Sequence, residues 1–181
     1  MIRSLRSCRD RRTGRARRRV EGLIPAIPPA TERVLASART RGLDLEVHQF
    51  PEGTKTAADA AAAIGCPVAA IVKSLVFVVG EELVLALVPG DLMLDPRKLE
   101  AVAGTGPARR ATLEEVRSAT GFAAGGTPPF GHGQSIRVFA DEALRRNDPV
   151  WAAAGTPTTV FPISLRDLDL IANPSWADLS S

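Results

Sequence analysis

The chain has 181 residues, 45% of them apolar, with 23 Lys+Arg against 20 Asp+Glu, enough for one domain with a substantial core. The net charge of +3 is unevenly placed: residues 1–20 hold nine Arg and one Asp, which leaves −5 for residues 21–181 and excludes a generally basic nucleic-acid-binding domain. No apolar run reaches a membrane span, and Cys8, Cys66, His48 and His132 have no metal-ligand spacing, so free thiols in a reducing cytoplasm are expected and a metal centre is not.

Residues 1–29 form a segment of their own. Arginines crowd positions 3–19, and Pro25, Pro28 and Pro29 break any helix. The segment reads as a disordered tail or an over-extended start, with a basic arm that meets RNA phosphates as the functional alternative. The folded domain is expected over residues 30–181.

Residues 31–41 have helical spacing, with Val34, Leu35 and Ala38 on one side and Gly42 as a stop. Residues 43–50 alternate apolar and polar, which predicts a strand with His48 on its polar side. Thr56 caps an Ala-rich helix ended by Gly65. Residues 69–79 and 83–88 are apolar on both faces and are joined by Gly80-Glu81-Glu82, which predicts a central hairpin. Lys73 lies inside it, on the face of Ile71, Leu75, Phe77 and Val79. A charge there needs a partner, a cleft or a route to water.

Asp95-Pro96 starts a helix through Ala103. Residues 108–111 read as a short edge segment, and Thr112 to Glu115 as a capping box for a helix closed by Gly121. A loop with four glycines and two prolines follows over residues 124–133. It must be irregular and stiff, with few free N–H groups. Strands are expected over 136–140, 150–154 and 158–161, a short helix or turn over 141–145, and a last helix from Ser164 to Ile171, followed by a tail. The order gives an α+β (mixed α/β) domain whose mainly antiparallel central sheet is flanked by helices.

Familiar motifs fail. Gly121 to Gly126 follows a helix rather than a strand, Lys73-Ser74 lacks the glycines of a phosphate loop, and no nucleophile elbow occurs. The carboxylate pairs fall at turns and helix starts, and Cys66 has no base nearby in sequence.

Four stretches together resemble the YbaK/ProX aminoacyl-tRNA editing family, relatives of the editing domain inserted in bacterial prolyl-tRNA synthetase. They are Ile71-Val72-Lys73-Ser74-Leu75-Val76-Phe77, Leu87-Val88-Pro89-Gly90-Asp91, Leu94-Asp95-Pro96-Arg97-Lys98-Leu99 and the Gly-Gly-x-Pro-Pro-Phe-Gly loop. The resemblance covers about residues 30–172 and implies a curved sheet around the site. It also implies a freestanding hydrolase that cleaves the ester of a wrong small amino acid on tRNAPro or a related tRNA. It places Lys73 with Gly125, Gly126 and Thr127 in the chemistry, the glycine loop supplying N–H donors to the ester oxygen. Pro128, Pro129 and Gly131, with Gly155 and Thr156, would shape the amino-acid pocket. It implies no metal and no organic cofactor. The implied partners are the 3′ acceptor end of aminoacyl-tRNA and an aminoacyl-tRNA synthetase. Where alanine-specific relatives carry a histidine motif, this chain has Trp151-Ala152-Ala153-Ala154-Gly155-Thr156-Pro157, so chemistry by that histidine is not expected. A non-catalytic tRNA- or synthetase-binding regulator of the same fold, and a hydrolase of another small aminoacyl ester or thioester, are the rival readings.

Overall fold

The computed structural model of the protein describes residues 26–50 and 56–181. The arginine-rich stretch, including Cys8, lies outside the described residues, as do residues 51–55.

Helix α1 (Pro29–Arg39) starts on a proline, whose missing N–H costs nothing in the first turn, and buries Thr31, Val34, Leu35 and Ala38. The strand expected over 43–50 shrinks to β1 (His48–Gln49), paired with residues 159–160. Leu43, Leu45 and Val47 still pack on the core, so the alternation reports burial, but among the described residues no neighbouring strand pairs with them. Helix α2 (Ala57–Ile64) has a full capping box from Thr56 and Asp59 and ends on Gly65 in the left-handed region.

Strands β2 (Val72–Val79) and β3 (Glu82–Pro89) form the expected hairpin, in register from Val79–Glu82 to Val72–Pro89. Gly80 gives the tight turn its positive φ of 63°, and a Cβ there would lie 2.1 Å from the Thr105 carbonyl oxygen. Helix α3 (Pro96–Ala103), the short edge strand β4 (Ala108–Arg110) and helix α4 (Leu113–Thr120) follow. After the glycine-rich loop come β5 (Arg137–Asp141), a 3-10 turn (Glu142–Arg146), β6 (Val150–Ala153), β7 (Thr159–Ile163), α5 (Leu165–Ala172) and β8 (Ser175–Ala177).

The strands divide between two sheets, ordered β4-β2-β3-β5-β8 and β1-β7-β6. Pairing is antiparallel except at β3–β5 and β5–β8. The sequence reads β8 as tail because three residues carry no periodicity; its place comes from the parallel return through α5. An isolated parallel bridge between Ile71 and Trp151 joins the sheets. The large sheet buries both faces. Val72, Val76, Leu85 and Leu87 meet α1, α4, α5 and the small sheet on one side. Phe77, Val79, Val84, Ala86 and Val88 meet α3 on the other. This explains the two-sided apolar character of the hairpin.

Two features of this scaffold shape the site. First, β4 pairs with β2 along Phe77–Val79, and Trp151 of β6 bridges at Ile71, just before β2 begins. Among the described residues, the edge of β2 between these points therefore has no strand beside it. Second, Glu115 fixes the start of α4 by accepting from the Thr112 N–H (2.8 Å) and from both terminal nitrogens of Arg109 (2.7 and 2.9 Å). The Arg109 bonds above all hold the Glu115 carboxyl low, at about 2. Because the folded value is depressed, the stability it contributes is complete above about pH 4.5 and is lost as pH falls toward 2. Glu115→Gln is expected to flatten that part of the acid-unfolding curve, read by circular dichroism between pH 5 and 2; an unchanged curve would show that the pairing contributes nothing.

Candidate active site

The gap beside β2 opens into a cleft of about 830 Å³, within the range of small-molecule sites. One wall is the β2 start, Ile71 to Val76. A second is Arg110 and Ala111 with the first turn of α4, and a third is β6 from Trp151 to Ala153. The glycine-rich loop closes it with Ala124, Gly125 and Thr127, beside Thr156 and Pro157 of the β6–β7 turn. Lys73, Gly125, Thr127 and Thr156, far apart in sequence, thus share one cleft.

Lys73 is half-buried, and its Nζ donates to the Leu92 carbonyl. Burial lowers its pKa; Asp91 opposes this and Arg110 adds to it. Asp91 is itself paired with Arg146 at 2.9 Å. Among the described residues, the charged side chains lining the cleft are Lys73 and Arg110, and no Asp, Glu, His or Cys lines it. The described lining is therefore cationic, and no side chain of ordinary general-base type lines the cleft among the described residues.

The glycine loop differs in part from its expected role. The Gly126 N–H is spent on the Ala123 carbonyl at 3.0 Å, closing a turn, so it is not a free donor. The amides of Gly125 and Thr127 meet no acceptor among the described residues. Gly126 instead serves close packing: a Cβ there would lie 2.6 Å from Thr156 Cα. Pro128, Pro129, Gly131 and Gly155 do not line the cleft. The prolines are buried behind the loop. Gly131 (φ 77°) faces Ser37 of α1, and Gly155 (φ 97°) lies against the Ala30 backbone, where a Cβ would come within 2.8 Å. These four brace the wall from behind and do not form a pocket surface. Their composition suited either role, because close approach to a ligand and close approach to another backbone demand the same residues.

His132 belongs to the same bracing. It is largely buried with its Nε2 donating to the Pro128 carbonyl at 2.8 Å, its ring set edge-on to Phe122, and burial lowers its pKa. Thr156 is held by a hydroxyl chain. The Thr159 hydroxyl donates to the Ala154 carbonyl (3.2 Å), so it accepts from Thr156 (2.8 Å) and from Thr31 of α1 (3.0 Å). Thr156 in turn accepts from Thr158 (3.0 Å).

Two lining residues had no sequence signal of their own. Trp151 sits in an unremarkable strand, and its ring meets His48 edge-on at 5.1 Å. Ser74 points to the face of Val72 and Val76, and its hydroxyl is buried without a partner, a costly condition that a bound polar group would relieve. The Val76 carbonyl accepts from Ala111 on the β4 side, and by strand alternation Ser74 turns its amide and carbonyl the same way, into the gap.

Comparison with known proteins agrees with this arrangement. Residues 51–170 match the family model described as the aminoacyl-tRNA editing domain. The uncharacterized protein YwhH of Bacillus subtilis is 29% identical over 136 residues, 74% of this chain and 86% of that protein. A proline–tRNA ligase of Nitratidesulfovibrio vulgaris is 40% identical over 130 residues, 70% of this chain but 22% of the ligase. A ligase of Thiobacillus denitrificans is matched over 26% of its length, so the chain spans about a quarter of such enzymes. A solved structure described as a candidate trans-editing enzyme for prolyl tRNA synthetase is 43% identical, with a TM-score of 0.82 over 86% of this chain and 99% of the other. With the family model matched over more than half of the chain and this fold shared at 43% identity, the protein belongs to the aminoacyl-tRNA editing domain family.

Proposed function

We propose that the protein is a freestanding hydrolase that deacylates mischarged aminoacyl-tRNA, removing a small amino acid from tRNAPro or a related tRNA. The observation that carries this reading is that Lys73 lines one cleft together with Gly125 and Thr127, whose amides meet no acceptor among the described residues. The similarity to a candidate trans-editing enzyme for prolyl tRNA synthetase supports the choice of tRNA.

The chemistry asks little of the protein. A water oxygen attacks the ester carbonyl carbon, the bond to the ribose oxygen breaks, and that oxygen leaves with a proton as the terminal hydroxyl. Charge builds on the carbonyl oxygen. The Gly125 and Thr127 amides and the Lys73 ammonium are suited to stabilise it, each such donor being worth about 2.7–4 kcal/mol. Trp151, Ala153 and Thr156 fit a wall that sorts amino acids by size, which a synthetase pocket does poorly when one methylene is worth about 1–3 kcal/mol. Translation fidelity in the cytoplasm is the setting this activity implies, with a synthetase as the second partner.

The full chain, incubated with tRNAs charged separately with Ala, Cys, Ser, Thr and Pro, is expected to release at least one of the first four faster than buffer and to spare Pro-tRNAPro. The lack of a general-base side chain in the cleft among the described residues favours one rival, a binding module without hydrolysis. Tight binding of tRNAPro with no ester loss for any amino acid would establish that rival and overturn the proposal.

A further inference from the structure

Two adjacent arginines end β4, and they have different fates. Arg109 stands opposite Val78, and Glu115 holds its guanidinium through two bonds. Arg110 stands opposite Phe77, on the face that carries Lys73 and Leu75. It is exposed, lines the cleft, and has no ion pair or side-chain hydrogen bond among the described residues. Leu113, one turn further on, lines the same rim and is 75% exposed, an unusual position for a large apolar side chain. A guanidinium without an ion pair among the described residues, beside an exposed apolar side chain in a cleft whose described lining holds no carboxylate, suits one chemistry above others: a phosphodiester with an unpaired base next to it.

We infer that Arg110 binds the phosphodiester joining the last two nucleotides of the acceptor end, with Leu113 beneath the penultimate base, so that the rim sets how deeply the terminal aminoacyl-adenosine enters. This rests on the ester-hydrolysis reading for the identity of the substrate. Lys73 and Arg110 then divide the work. The inner cation serves the ester, and the outer one serves the phosphate. Arg110 is a positioning residue, and the pairing of Arg109 with Glu115 keeps the neighbouring guanidinium from competing for the same phosphate.

The test uses two stable probes that differ by one phosphodiester: 3′-deoxy-3′-alanylamino-adenosine, and the same compound extended at its 5′ side by cytidine through a phosphodiester. Binding to the full chain is followed by calorimetry at two salt concentrations. Wild-type protein is expected to bind the extended probe more tightly. Arg110→Gln is expected to weaken the extended probe about tenfold and the nucleoside probe less than twofold, and to lower the salt dependence of the former by about one ion. Arg166→Gln, an exposed charge on α5 away from the cleft, is expected to change neither probe. Losses for Arg110→Gln that differ by less than threefold between the probes would overturn the inference, as would an equal effect from Arg166→Gln. Equal wild-type affinity for both probes would overturn the phosphate role and leave the ester reading standing. Wild-type binding of neither probe would overturn both. Circular dichroism of Arg110→Gln checks that the edge strand is intact, and Arg110→Lys, which restores charge without the planar fork, is expected to recover part of the loss.

Discussion

Lys73→Met is expected to lower the rate of deacylation by about 10²–10³-fold while leaving the fold intact. The side chain sits where the sheet edge is open, with its ammonium held by the Leu92 carbonyl and within the field of Asp91 and Arg110. Methionine keeps the length and apolar stem and removes the charge. The loss of one hydrogen bond is offset by the end of a partly buried charge, so the melting temperature is expected to move little. A pH signature accompanies the change. The folded-state pKa of Lys73 lies below its ordinary 10.5, so between the two values the unfolded chain binds a proton that the folded chain has released. Stability gained from this group therefore rises with pH across that window, and the slope disappears in Lys73→Met. Single-turnover deacylation measures the first effect, and urea unfolding at several alkaline pH values the second. Wild-type turnover in Lys73→Met would remove the lysine from the chemistry.

Gly126→Ala is the second change with a large expected effect. The loop and the Thr156 turn approach so closely that a new Cβ would stand 2.6 Å from Thr156 Cα and 2.8 Å from the adjoining backbone C and N. No side chain can move aside, because the obstacle is main chain. The loop must shift, at a cost of about 1–3 kcal/mol by analogy with overpacked cores. Gly125, Thr127 and Thr156 move with it, and displacement of positioned groups by about 1 Å can lower a rate about 10²-fold. Gly133→Ala is the comparison: the space around Gly133 is open, and stability is expected to stay within about 0.5 kcal/mol. Urea unfolding and the deacylation assay check both. Equal rates in the two variants would mean that the contact between loop and turn is irrelevant to the site.

Much of the helical framework was legible in the sequence because its signals are local. Thr56, Asp95-Pro96, Thr112 and Ser164 each cap the helix they were expected to start, and Gly65, Gly104 and Gly121 each stop one in the left-handed region. The mixed, mainly antiparallel architecture and the β2–β3 hairpin also follow from the apolar pattern. The division into two sheets does not, since it depends on pairings between distant segments, such as His48 with Val160. Nor does β8, or the absence of pairing along residues 43–47. At the site, a charge in an apolar strand marked Lys73, and glycine density marked the loop. The direction each glycine faces was not legible. Gly125 opens on the cleft, whereas Gly126 and Gly155 press on other backbone and Gly131 on the Ser37 side chain. Arg109 and Arg110 look alike in sequence, and only the position of Glu115 separates a spent cation from a free one.

The stretch of β2 without a neighbouring strand has a consequence for how such a protein can change. Polar groups that Ser74 presents there through its main chain survive nearly every codon change at that position; proline alone would delete the donor. The main-chain polarity of the cleft is thus insulated from mutation, while Trp151, Ala153 and Thr156, which the proposed function assigns to sorting amino acids, line it from a separate strand and turn. Selectivity can drift there one substitution at a time, with the hairpin untouched. A scaffold divided in this way can pass from one amino acid to another without crossing an unfolded intermediate sequence.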